Sequence, residues 1–130
     1  MTFLPQTTSD EDLIRFVDEW AALMEAEDYT TAFNFTAHDP YMRWTPELIR
    51  QVIKSYDECL PNQRVTLKGV PTDIEQRKEV TRWPSVRNGS IGEIWYDLNI
   101  DGYASDLTAT FAIKISTDGL IIELGDIHVM

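Results

Sequence analysis

Apolar positions in the first part of the chain recur at spacings of three and four. Leu13, Phe16, Val17, Trp20, Leu23 and Met24 share one face of a helix over residues 10–26. Ser9 followed by Asp12 has the form of a capping box at its start, and Asp10, Glu11 and Asp12 suit the positive end of the helix dipole. Asp28 caps a short second helix over Tyr29–Phe35, with Ala32, Phe33 and Phe35 available for packing, and the turn His38-Asp39-Pro40 breaks the pattern. Thr45-Pro46 opens a third helix, Thr as N-cap and Pro at the first helical position. Its apolar residues Leu48, Ile49, Val52, Ile53 and Tyr56 place it over 46–58, before Pro61.

After residue 64 the period changes to two. Val65, Leu67 and Val70 predict a short strand, Val80 and Trp83 a weak one, and Trp83-Pro84 to Asn88-Gly89 reads as a loop. Three strands follow, joined by Asp101-Gly102 and Asp118-Gly119, which are strong hairpin signals. Two-residue turns put Ile100 opposite Tyr103, Leu98 opposite Ser105, Tyr96 opposite Leu107 and Ile94 opposite Ala109 on an apolar face. The other face pairs Asp97 with Asp106, Trp95 with Thr108 and Glu93 with Thr110. The second turn sets Ile115 opposite Ile122, Ile113 opposite Leu124, Phe111 opposite Asp126, and Lys114 opposite Glu123 outside. A slip of one residue would exchange the two faces. Helices first and a one-side-buried antiparallel sheet afterwards predict an α+β fold in a single domain, 1–130, with helices 10–26 and 46–58 covering the apolar face.

Composition agrees with one packed domain: 130 residues, 43% hydrophobic and 25% charged, exclude a disordered chain. The net charge of −11 is unevenly laid out, with −8 over residues 1–42, +3 over 43–87 and −6 over 88–130. Such a chain repels phosphate backbones, so nucleic acid is not an expected partner. The bases of the middle segment alternate with acids and turns and read as solvated surface rather than a groove. No apolar run reaches the roughly 20 residues of a membrane span, and MTFLPQTTSD lacks the basic start and apolar stretch of a secretory signal. A cytoplasmic protein without membrane contact is the expectation. Cys59 stands alone, which excludes an internal disulfide, and the Gly-rich phosphate loop, G-x-S-x-G and H-E-x-x-H are all missing. Neither a cofactor nor a metal is expected.

The order of elements resembles the NTF2-like, cystatin-like α+β superfamily: a long helix, a short helix after Met24-Glu25-Ala26-Glu27-Asp28-Tyr29, a third helix, then a curved antiparallel sheet closed by Leu120–Val129. More narrowly, Ser105-Asp106-Leu107-Thr108 with Asp126-Ile127-His128-Val129 is similar to an uncharacterised bacterial domain family, over most of the chain. The resemblance implies an NTF2-like cone, helices packed on a curved sheet, and allows a homodimer through the sheet. It implies no single activity, since the broad fold hosts isomerases, dehydratases, hydrolases and protein-binding members.

Three groups of residues are candidates. The register turns Asp126 and His128 toward the apolar face near Tyr96, where an ionised Asp could orient the imidazole for proton transfer; a buried pair satisfying neighbouring backbone groups is the competing reading. Asp97 facing Asp106 would need a proton, a base or a shared cation, or else Asp106 caps a bulge that alters the register. Trp95 lies on the mainly polar face beside Ile127 and Val129 as an interface candidate, unless the middle segment covers it. Trp44 reads as a hydrophobic staple, Cys59 as a packed small side chain and His38 as surface. Two functions compete. One is a noncatalytic domain that binds a protein, specifically a basic one given the acidic surface, or a ligand. The other is a cofactor-independent acid–base enzyme, isomerase- or dehydratase-like, with a small-molecule pocket between helices and sheet.

Overall fold

The computed structural model describes residues 2–71 and 76–129. Helix α1 spans Asp10–Glu25, and Ser9 Oγ accepts from the Asp12 amide at 3.2 Å as the capping box requires. Its buried face is Leu13, Phe16, Val17, Trp20, Ala21 and Met24. Glu27, at φ 57°, turns the chain out of α1, and Asp28 caps α2, Tyr29–Phe35. Helix α3 runs Pro46–Lys54 from the Thr45 cap, short of the predicted residue 58. The buried Gln63 side chain donates to the Lys54 and Asp57 carbonyls and so satisfies the helix end there.

The strands are β1 (Phe3–Leu4), β2 (Ala37–His38), β3 (Val65–Thr66), β4 (Lys78–Arg87), β5 (Ser90–Ile100), β6 (Tyr103–Ser116) and β7 (Gly119–Val129). They form one open sheet in the order β1-β7-β6-β5-β3, with β2 also on β7 and β4 also on β5. Every pairing is antiparallel except β2 with β7. Helices and sheet share one core, in which the Trp20 and Phe111 rings meet edge to face at 5.2 Å. The α+β prediction holds. No helix among the described residues is long and apolar enough to cross a membrane.

Three local expectations are corrected. The stretch Trp83–Arg87 is strand, not loop, and Asn88-Gly89 turns it into β5 with both residues at positive φ, 52° and 78°. That is the geometry an Asn-Gly hairpin selects. His38-Asp39-Pro40 is preceded by pairing of Ala37 and His38 with β7, so His38 is half-buried, stacked on Phe33 and donating to its carbonyl. Cys59 is exposed rather than packed.

The register departs from prediction at three places. Ile100 opposes Tyr103 as expected, but β6 extrudes two residues beyond Ala104, so Asp97 opposes Thr108 and Tyr96 opposes Ala109. The second turn centres on Thr117-Asp118, because Ser116 opposes Gly119; Ile113 then meets Ile122, and Lys114 meets Ile121 instead of Glu123. Both shifts are of two residues and keep the faces intact. The third is a one-residue bulge at Gly125: Phe111 opposes Leu124, yet Thr110 opposes Asp126. From there to the end of β7 the faces are exchanged, and Ile127 turns into the core at 5% exposure.

Candidate functional site

The Gly125 bulge is held by groups from distant parts of the chain. Trp44, buried in the core, donates its indole N–H to the Gly125 carbonyl at 2.9 Å, a role beyond stapling its own helix. The Asp126 amide donates to Thr110 Oγ1 at 3.3 Å, and the Ile127 amide to Asp126 Oδ1 at 2.8 Å. The Gly125 carbonyl and the Asp126 and Ile127 amides thus find partners at the bulge, as buried backbone groups must for it to persist.

Its consequence is to separate the predicted acid–base residues. Tyr96 faces the helices, 3% exposed, and its hydroxyl donates to the Asp18 carboxylate on α1. Burial first, then the Asp18 hydrogen bond and charge, push the Tyr96 phenol well above its ordinary range. Asp126 and His128 project from the opposite face. There His128 Nδ1 lies 3.0 Å from Asp126 Oδ2, though off the line of a hydrogen bond. Tyr96, Asp126 and His128 therefore do not converge on one pocket. The clefts found on the surface, of about 230 to 600 Å³, are lined by other residues.

Asp97 and Asp106 are likewise apart in the register. Asp97 accepts from Thr108 Oγ1 at 2.7 Å and from the Arg77 amide at 2.7 Å, so both its oxygens serve the junction of β4, β5 and β6. Asp106 sits in the extruded part of β6 and accepts from the Tyr56 hydroxyl, which raises the Tyr56 phenol above its ordinary value. At the bulge it is a side chain that receives Asp106, not a run of backbone amides.

What the sheet does assemble is its helix-free face. Rows across β4, β5, β6 and β7 read Arg77–Asp97–Thr108–His128, then Glu79–Trp95–Thr110–Asp126, then Thr81–Glu93–Ala112–Glu123. Trp95 stands in the middle, half-buried. The Arg77 guanidinium lies 4.9 Å from its ring centroid, and His128 meets it edge-on at 6.5 Å. The middle segment thus covers Trp95 in part, through one flexible side chain. Arg77 also pairs with Glu79 at 3.1 Å, both side chains being more than half exposed. A polar cleft of about 510 Å³, lined by Gln76, Arg77, Lys78, Glu79 and Asp97, opens beside it. Ile127, expected beside Trp95, is on the other side of the sheet.

A family model described as "Domain of unknown function (DUF7668)" matches residues 21–130. The chain belongs to that family. Neither a curated protein nor a solved structure matches it. The stretch matched by the DUF7668 model takes in β2 to β7, and with them the rows of the helix-free face; β1 and most of α1 precede it.

The sequence pattern placed Trp95, Asp97, Glu93 and Glu123 on this face but did not bring Arg77 or Glu79 to it. Asn88-Gly89 was the available signal: read as a hairpin turn, it pairs β4 with β5 and brings Arg77 and Glu79 to Trp95. A second grouping that the sequence scatters, Arg50, Lys54 and Arg64, shares one cleft with Tyr29 on the helix side.

Proposed function

We propose that the protein is a noncatalytic binding domain of NTF2-like architecture that uses the helix-free face of its sheet to hold a basic protein partner. One observation carries this reading: a half-buried Trp at the centre of a face where Glu79, Glu93, Asp97, Glu123 and Asp126 outweigh Arg77 and Lys114. An aromatic anchor on a face of net negative charge favours a partner of the opposite sign. Face-to-face pairing of two copies would oppose like charges, which favours a basic partner over a homodimer. Helices packed on one side of an open antiparallel sheet support the NTF2-like reading. The separation of Tyr96 from Asp126 and His128 favours binding over proton transfer.

The test is retention of partners from native lysate on the immobilised chain, compared with Trp95→Ala and with the pair Glu93→Lys, Glu123→Lys. A specifically retained basic protein, released by salt and lost with both variants, is expected. Retention that ignores all three substitutions, or no specific partner at all, overturns the reading.

A further inference from the structure

The net charge of −11 makes any gathering of cations unusual in this chain, and folding produces one. Arg50 and Lys54 lie one turn apart on α3, and Arg64 comes from the segment before β3. With Glu27, Tyr29 and Asn62 they line a cleft of about 440 Å³. The Lys54 side chain, 13% exposed, commits its ammonium to the Glu27 carboxylate. That hydrogen bond, with the charges of Lys54, Arg64 and Arg50, holds Glu27 below its ordinary value despite some desolvation. The two guanidinium groups are less engaged. Arg64 reaches the Glu25 carbonyl at 3.5 Å, and Arg50 makes no ion pair among the described residues.

Tyr29 supplies an independent sign. It is 8% exposed, and its hydroxyl is closed to solvent with no hydrogen-bond partner among the described residues. Buried hydroxyls are normally paired, and an orphan in a native fold calls for a reason. Burial first, and then the Glu27 charge, raise its phenol above the ordinary value, so at neutral pH it is a donor. Arg50 and Tyr29 share the wall of that cleft. Tyr29 and Arg50 also line the adjoining cleft of about 230 Å³, whose Asp28 is tied to Thr31 by both side-chain oxygens.

We propose that this cleft binds a small phosphate monoester, with Arg50 and Arg64 on the phosphate oxygens and the Tyr29 hydroxyl as a further donor. Three cations less one carboxylate leave two positive charges, which a dianion neutralises. Guanidinium groups present paired N–H donors in the geometry phosphate oxygens accept. The cleft is larger than a phosphate group and leaves room for a small organic remainder. Nucleic acid is a poor occupant, because the chain carries a net charge of −11 and Glu27, Asp28 and Glu47 line this cleft and the adjoining one.

The full chain is titrated in low-salt buffer with inorganic phosphate, glycerol 1-phosphate and succinate, following amide shifts by NMR and the thermal midpoint. Saturable shifts centred on residues 27–29, 50–54 and 62–64 are expected, with a Kd of roughly 0.1–1 mM for the ester. Arg50→Gln and Arg64→Gln, both on exposed side chains, should each weaken it about tenfold. Tyr29→Phe should weaken it several-fold while leaving the unliganded midpoint unchanged or higher, since it removes an unpaired group. A purely structural hydroxyl would give the reverse, a lower midpoint with affinity intact, and would overturn its assigned role. Shifts that never saturate, shifts that survive both arginine substitutions, or succinate binding as tightly as the ester overturn the site.

Discussion

Replacing Tyr96 by Phe removes one oxygen from a ring that is otherwise fully packed, and the structure says what that oxygen does. It donates to Asp18 across the helix–sheet boundary, while Lys78 Nζ reaches the same carboxylate at 3.3 Å and lies 4.8 Å from the Tyr96 ring. A hydrogen bond to a charged group contributes about 1.5–3 kcal/mol. Asp18 is only half-buried and keeps Lys78, so the loss at pH 7 belongs at the lower end, about 1.5 kcal/mol. The more diagnostic effect comes at alkaline pH. Burial and the Asp18 contact raise the folded phenol above its unfolded value near 10. A raised pKa gives stability that is fully present below the unfolded value and is lost as pH rises past it. The unfolded chain then sheds a proton that the folded chain keeps, at about 1.4 kcal/mol per pH unit. Urea unfolding of wild type and Tyr96→Phe between pH 7 and 11.5 isolates the term, because the shifts of Tyr29 and Tyr56 are common to both proteins. The stability gap should be steady up to about pH 10, then close and reverse. Parallel curves throughout would show that Tyr96 ionises like an exposed phenol, and the tether to Asp18 would have to be abandoned.

Thr108→Val keeps the shape of a fully buried side chain but removes the donor to Asp97, and should cost about 2 kcal/mol in chemical denaturation. Gly92→Ala places a Cβ 2.2 Å from the Thr81 carbonyl oxygen, so β4 must shift; a loss of about 2–3 kcal/mol is expected, with faster amide exchange along β4. Trp44→Phe leaves the Gly125 carbonyl without its indole donor, and about 1–3 kcal/mol should be lost, with the largest NMR shifts at residues 125–128.

Much of the architecture was legible because it is decided locally. The Ser9, Asp28 and Thr45 caps act on amides three residues away, so the starts of all three helices follow from adjacent residues. The Asp101-Gly102 turn likewise depends on its own positive-φ backbone. Strand alternation assigned Ile94, Tyr96, Leu98, Phe111 and Ile113 to the core, and all are buried. Shifts of two residues in the register left that assignment intact because side chains alternate with a period of two.

The candidate site was less legible, and its errors have a common origin. Asp126 and His128 were expected inside, yet one extra residue at Gly125 turned them out. That bulge is stabilised by an indole 81 residues away in sequence and by a threonine on the neighbouring strand. The two residues extruded from β6 are answered by the Tyr56 hydroxyl and by Ser105 Oγ bonding to Leu98. No local propensity encodes such partners. Helix starts, the Asp101-Gly102 reversal and the residues that seek the core follow from neighbours within a few positions. The side to which Asp126 and His128 turn, and the approach of Arg77 and Glu79 to Trp95, are settled by the tertiary structure. They depend on where the sheet accommodates an extra residue, with a distant donor in place, and on which strand β4 pairs with.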